Sequence, residues 1–537
     1  MVNHANNAGN EETLYDTVII GAGIAGLTTA YMLRDKNILL LEQEDRFGGR
    51  IRTEKINEAS YNIGTQYLNE EDNAFVHMID ELGIERTTHD VTTAAPIVFY
   101  LNNQLYLKPS SLLNWKIVLD GIRLLSNTYR KSKTFLLPPD DPRRQKLLKQ
   151  NLTELQQGYS PEILAIVNSY LKGACVSKPE RTSAGIGAVI TMDIFNADEL
   201  AFVKGGTQKI TDATVDKLNG NVMKGAGVVK VEENDGIVRT HFQKDGKEHI
   251  VKSKSAVMAV PPQIALELIP QLPDWKKEAL AKVDYGPITI VSVFLKRSIP
   301  WERFVAMLCT NVMISGIFDV TFGMEDDKNE DNPIIYNFII SIPPDEKKEI
   351  ETFLAKSDEE VVTLALNDFK HIMPNADIDE YIVDSKVTRF PIGELELSPE
   401  YYLELLPQLQ KPVSNIHFSG DYSHGHSFLE GAAYSGMRAA RALGSTYVAS
   451  EEKEIPKEPK WGAFGWMVIL LNILLIVGGF FLPEGYGITL SIGAGLLLAF
   501  TAALPYFFPP IKLIYKVLLG ITIVFGGIIA LLASLFG

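Results

Sequence analysis

Hydrophobic and polar positions divide this chain into two regimes. Up to residue 460 the apolar residues come in short runs broken by charge. Beyond it, 77 positions carry only three charges, Glu484, Lys512 and Lys516. These separate the charge-free runs 461–483, 485–511 and 517–537. Each run reaches the roughly 20 residues that an α-helix needs to cross hydrocarbon. The pattern predicts three spans, near 463–482, 487–508 and 515–536, with Pro483, Pro505, Pro509 and Pro510 at or near run ends. The competing reading is three buried core helices, but helices of that length that are apolar on all faces are rare in soluble folds. Lys453, Lys457 and Lys460 precede the first span, and Lys512 and Lys516 lie between the second and third. The basic flanks therefore share one side, which the positive-inside rule makes cytoplasmic together with the large N-terminal part. Residues 1–15 are polar, so no signal peptide is expected. Residues 448–460 form a charged linker.

In the first regime, Thr17–Ile20 is a short apolar strand that runs into Gly21-Ala22-Gly23-Ile24-Ala25-Gly26 and then the helical Leu27–Arg34. A second apolar strand, Ile38–Leu41, ends at Glu42. Strand, glycine turn, helix, strand and acid in this order describe a dinucleotide site. Gly21 allows the tight turn, Gly23 admits a pyrophosphate, Gly26 lets helix and strand pack, and Glu42 accepts from a ribose hydroxyl. The continuation reads Glu42-Gln43-x-x-Arg46-x-Gly48-Gly49-Arg50-x-x-Thr53. The glycine pair brings backbone amides close to a ligand, and Arg50 offsets pyrophosphate charge.

This stretch resembles the flavin-containing amine oxidoreductase superfamily, which includes monoamine and polyamine oxidases, protoporphyrinogen oxidases and phytoene-type carotenoid desaturases. In that family the motif binds the ADP half of FAD. Gly64, Thr65, Gln66 and Tyr67, after Asn62-Ile63, resemble the segment that runs beneath the flavin. Residues 418–441 (FSGDYSHGHSFLEGAAYSGMRAAR) resemble the closing motif, with Gly420 and Asp421 followed by Glu430, Gly431 and Ala432. There the acid meets the ribityl–pyrophosphate region, and a helix expected from Glu430 to Leu443 points its N-terminus at a flavin carbonyl. Lys204–Thr207, a helix at 208–219, Val228–Val231, a hairpin at 237–251 and Ala256–Val260 resemble a third segment, in which Val228 contacts adenine.

The resemblance implies an α/β FAD-binding Rossmann-like fold of glutathione reductase type, amine oxidase-like, with an interleaved α+β substrate domain and the C-terminal transmembrane helices. The FAD-binding domain would take 14–90, 204–285 and 396–447, and the substrate domain 91–203 and 286–395. Residues 319–332, rich in acid, read as an exposed loop. The family's amine oxidases usually carry a lysine on the strand that follows a substrate-domain glycine; here Ile290 falls there. They also usually carry a tyrosine two residues before Glu-Gly-Ala; here it is Phe428. Both departures, with the Gly420-Asp421-Tyr422 sequence, favour a desaturase-like or protoporphyrinogen oxidase-like dehydrogenation of a lipophilic substrate over amine oxidation. The substrate pocket would include Tyr67, Tyr422 and Phe428. His424 and His426 are candidates for acid–base work near the flavin, or for ordinary loop hydrogen bonds. No carboxylate or cysteine at ligand spacing accompanies them, so no metal is expected. Met437 and Tyr434 are expected to be packing residues.

Composition adds three points. The 537 residues carry a net charge of −15, which disfavours a nucleic-acid partner. Two cysteines, Cys175 and Cys309, cannot form a disulfide framework. Residues 108–149 go against the overall sign, with ten basic residues against three acids and apolar residues between them. That stretch is either a surface facing an anionic leaflet or a solvated helical face over an ordinary core. The expected partners are thus a lipophilic small molecule, the bilayer, and a quinone or O2 as electron acceptor. A flavin-binding membrane assembly subunit without turnover is the contrasting class.

Overall fold

The structure, a computed structural model, describes residues 13–56, 59–69, 74–90, 97–107, 115–196, 199–218, 220–322, 331–426 and 428–447. Contacts group the chain into one compact unit of residues 1–190 and 199–450 and a second of 191–198 and 451–537. Of the second unit only 191–196 is described, as the end of the helix Ala184–Asn196.

The compact unit holds two seven-stranded sheets. The first orders Val222–Met223, Ile38–Leu41, Leu14–Ile20, Lys247–Met258, Ile237–Lys244 and Gly227–Asn234, and Ile416–Phe418 also pairs with Lys247–Met258. Pairing is parallel from Val222–Met223 through Ile38–Leu41 and Leu14–Ile20 to Lys247–Met258, and again onto Ile416–Phe418. The last three strands of the list turn back antiparallel. Parallel strands are covered on both faces, which is why Ile38–Leu41 is apolar and buried throughout. The helix Ile24–Met32 is buried at all nine positions. It shares a core with Ile19, Leu40, Val257 and, from the helix Phe428–Ala442, Met437, which is 1% exposed and a packing residue as expected.

The second sheet orders Ile382–Leu395, Tyr285–Leu295, Ile334–Ser341, Ile314–Asp319, Ala306–Cys309, Ile97–Leu101 and Gln104–Tyr106. Ile97–Leu101 joins it in parallel beside Ala306–Cys309, so strands about 200 residues apart in sequence complete one sheet. Its core gathers Val291, Phe304, Met307, Tyr336, Phe338 and Phe369. Phe369 belongs to the helix Asp358–Ile372, which starts in a reciprocal cap between Ser357 and Glu360.

The expected exposed loop at 319–332 needs correction at its ends. Asp319 is 2% exposed, and Val320, Thr321 and Asn332 are also buried. Arg303 donates to Asp319 Oδ2 at 2.8 Å, while Oδ1 accepts from the backbone N–H and hydroxyl of Thr321. A paired and hydrogen-bonded carboxylate can be buried where a free one cannot. Residues 323–330 lie outside the described residues. So do the linker 448–460 and the three expected spans. Among the described residues, no helix is long and apolar enough to cross a membrane.

Candidate functional site

The glycine turn sits at the end of the strand Leu14–Ile20. Gly21 adopts φ +97°, and a Cβ there would fall 2.5 Å from the Ala259 carbonyl oxygen. A Cβ on Gly26 would fall 1.9 Å from the Gly21 carbonyl oxygen, which closes that position to every other residue. Gly23 differs. Its backbone, at φ −71° and ψ 178°, suits any residue, and a Cβ would meet nothing within 4 Å. The helix that follows leaves its first N–H groups facing this space, with Ile24 and Ala25 packed beneath among Ile51, Ala432 and Ala433. Open space at a helix N-terminus is what a pyrophosphate requires.

The glycine pair lies against this turn. Gly48 N–H donates to the Ala22 carbonyl at 2.8 Å, and a Cβ on Gly49 would sit 3.3 Å from Gly23 Cα. Arg46 fixes the loop by donating to the carbonyls of Gly49 at 2.5 Å and Ile51 at 3.1 Å. It is thus a brace for the amides. Glu42 accepts from Ala22 N–H at 2.7 Å and Glu44 N–H at 3.0 Å, leaving each carboxylate oxygen a further lone pair. Ala226 N–H donates to the Glu42 carbonyl, and Gly227, which precedes Val228, approaches Gln43.

Asp421 links the two ends of the unit. It is 3% exposed; Arg50 donates to its Oδ2 at 2.7 Å, and the Tyr285 hydroxyl donates to its Oδ1 at 2.6 Å. Arg50 also donates to the Gly393 carbonyl at 2.6 Å. Burial opposes the Arg50 charge, but Asp421, Tyr285 and Glu394 outweigh it and hold the guanidinium protonated. Burial, and then the Asp421 charge, push the Tyr285 hydroxyl far above its usual range, so it stays a donor. Gly420, at φ +155°, presents its N–H to Ser435 Oγ at 2.8 Å.

The closing helix runs from Phe428 to Ala442, two residues earlier than expected. A Cβ on Gly436 would fall 2.4 Å from the Ala25 carbonyl oxygen, and one on Gly431 would fall 1.8 Å from that of His426. The helix therefore seats against Ile24–Met32 only because it is built of small residues. Glu430 and Ala432 occupy its first turns. Arg438, which the sequence did not single out, donates to Ser423 Oγ at 2.9 Å and to the Phe418 carbonyl at 3.3 Å, tying the helix to the Gly420-Asp421 turn. Its position one turn after Ser435 was the available signal. Tyr285 and Glu394 gave none, being distant in sequence from either motif.

Gly64 passes close under Arg50, where a Cβ would fall 1.7 Å from the carbonyl oxygen. The Thr65 carbonyl accepts from Thr207 at 3.3 Å, joining this segment to Lys204–Thr207. Gln66 and Tyr67 line a small cavity of about 10 Å³ with Phe202, Val305, Phe318 and Val320. Gln66 Oε1 is buried there without a hydrogen-bond partner among the described residues. Ile290 is 3% exposed in an apolar cluster with Tyr61, Ile63 and Phe294. Of the other residues expected in the pocket, Tyr422 is buried against Gly420, and Phe428 meets His426 and donates its N–H to Glu394.

His424 stacks on Tyr434 with ring centroids 5.3 Å apart, and its Nδ1 has no partner among the described residues. Burial, with the charges of His426 and Arg438, lowers its pKa from 6.5 to about 4. At neutral pH it is therefore the neutral imidazole, with one N–H and one free acceptor nitrogen rather than an imidazolium. Because the unfolded chain binds the proton more readily, stability should be full above pH 6.5 and fall towards pH 4. We expect His424→Phe to remove about 1–2 kcal/mol of the loss between pH 7 and pH 5, read from urea midpoints. An unchanged pH dependence refutes the buried neutral imidazole.

With this geometry in place, likeness to known proteins is decisive. The profile of the family "Flavin containing amine oxidoreductase" matches residues 24–444. Amine oxidase [flavin-containing] B of Sus scrofa is 24% identical over 473 residues, covering 80% of this chain and 86% of that one. Amine oxidase [flavin-containing] of Danio rerio is 23% identical, covering 83% and 90%. Among solved structures, putrescine oxidase bound to putrescine superposes with TM-score 0.65 at 20% identity, covering 80% of this chain and 99% of that one. Cyclohexylamine oxidase from Brevibacterium oxydans IH-35A does so with TM-score 0.64 at 18% identity and the same coverage. The open glycine cradle, the braced amide loop and the match across residues 24–444 place this chain in the flavin-containing amine oxidoreductase family, as an FAD-dependent oxidoreductase.

Proposed function

We propose that the protein is a membrane-anchored dehydrogenase that oxidises a lipophilic substrate at a C–C or C–N bond. Gly21, Gly23, Gly26, Gly48 and Gly49 form the pyrophosphate cradle in this reading. Glu42, Gln43 and Val228 meet the adenosine. Arg50 and Asp421 meet the ribityl–pyrophosphate region, and Gly431-Ala432 the ring. Domain limits follow those expected from the sequence. Bound FAD supplies a two-electron acceptor for a hydride leaving the substrate carbon. Tyr67 borders the substrate in this reading. The observation that carries the reading is the buried Ile290 where amine oxidases usually have a lysine. The anchor rests on the 77-residue tail with three charges.

A second reading, amine oxidation, is favoured by the relatives and structures, which are named as amine oxidases. Anaerobic titration separates the two. Full-length protein in detergent is mixed with polyprenoid lipids, a porphyrinogen, and primary, cyclic and poly-amines, and loss of flavin absorbance is followed. We expect bleaching by a lipid-soluble substrate and none by putrescine. Rapid bleaching by amines alone would establish the second reading.

A further inference from the structure

We propose that the outer face of the helix Trp115–Phe135, with the loop after it, docks on an anionic lipid surface. The helix is sorted by charge. Ile117, Leu124, Leu125, Thr128 and Phe135 are buried. Lys116, Leu119, Arg123, Arg130 and Lys133 are exposed, and their spacing puts them on one stripe. The helix's only acid, Asp120, faces inward, where it accepts from Ser160 N–H at 3.0 Å and from Arg123 at 3.1 Å. In the loop that follows, Asp140 is exposed, and Asp141 caps the helix Pro142–Leu148 and pairs at the surface with Arg143. With Arg123 offset by Asp120, the cations Lys116, Arg130 and Lys133 leave the helix's outer stripe a positive excess, on a protein whose net charge is −15.

Apolar groups mark the same stretch. Leu119 is 52% exposed and Leu136 65%, and Leu107 shortly before is 54%. They account for three of the seven large apolar side chains exposed among the described residues. Cations ringing protruding leucines suit a lipid headgroup layer, where the charges meet phosphates and the leucines reach the acyl boundary. The chain also continues past residue 447 into the apolar tail, and the choice of a bilayer as occupant rests on the anchor proposed above.

Cys175 and Cys309 are buried, so a thiol introduced by Leu136→Cys takes a polarity-sensitive dye in the full-length chain. The labelled protein is reconstituted in phosphatidylcholine vesicles with and without phosphatidylglycerol, and flotation is scored beside dye emission. We expect a blue shift only with phosphatidylglycerol. It should be lost at about 1 M salt, where the Debye length falls to about 3 Å, and lost in Arg130→Glu/Lys133→Glu. It should be retained in Arg130→Lys/Lys133→Arg. Flavin content of each variant reports folding. Flotation with both vesicles but no shift, or the same shift in both, overturns docking and leaves the anchor standing. Flotation only with phosphatidylglycerol, with the shift, supports docking and sinks the anchor. No flotation with either overturns both.

Discussion

Gly23→Val should yield a folded protein that has lost its flavin. Most glycine substitutions in this turn would damage the chain itself. Gly21 and Gly26 have backbone carbonyls within 2.5 Å of an added Cβ, and the resulting unfolding would say nothing about the cofactor. At Gly23 an added Cβ meets nothing within 4 Å among the described residues, and the backbone angles suit a branched residue. The whole cost falls on whatever enters the cradle. Overpacking typically costs about 1–3 kcal/mol, hence roughly 10–100-fold in affinity. We expect the unfolding midpoint of flavin-free protein to stay within about 0.5 kcal/mol of the parent, as for substitutions that touch nothing. The absorbance of bound flavin after gel filtration should nearly vanish. Full occupancy in this variant would refute the assigned site.

Asp421→Asn is expected to have the second largest effect, through the fold as well as the ligand. The carboxylate is nearly inaccessible, and Arg50 and Tyr285 point their donors at separate oxygens. Removing its charge leaves Arg50 without its counter-ion. Breaking a fully buried pair costs about 3–5 kcal/mol. The Arg50 side chain is 43% exposed, and water screens part of that loss, which brings the expectation to about 1–3 kcal/mol. Tyr285→Phe should cost less, about 1–2 kcal/mol, because Asp421 Oδ1 still accepts from Tyr422 N–H. A double-mutant cycle with Arg50→Lys, read by urea unfolding with and without FAD, separates the structural part from the ligand part. If Asp421→Asn unfolds at the parental midpoint, the pair does not hold the two ends of the unit together.

The parts of the site legible in the sequence are those whose chemistry is local. A turn that needs φ above zero, a helix that must approach a carbonyl, and an acid at the end of the next strand all lie between Gly21 and Glu42. Each leaves a residue-type constraint at a fixed spacing. The closing helix was legible for the same reason, since only small residues let it approach Ala25. Partners set by tertiary approach were not legible. Tyr285 meets Asp421 across 136 residues, and Arg50 meets the Gly393 carbonyl across 343. Neither separation has a period to read. Asp319 looked exposed because composition alone cannot show that Arg303 lies opposite it. The aromatic neighbours of Tyr67 were not legible either, since Phe202 and Phe318 come from strands elsewhere in the chain.

The close seating of the first and last helices also sets a timetable for synthesis. Thr29 and Gly436, which meet through a hydrogen bond at 3.3 Å, are 407 residues apart. At roughly 5–20 residues per second, ribosomes take about 20–80 s to make the interval. During that time the nucleotide helix, buried at every position in the finished protein, lacks its cover. The cradle is completed only as the chain nears its apolar tail. Cofactor capture therefore falls late in synthesis, and a chaperone that shields residues 24–32 until then would raise the yield of flavin-loaded protein.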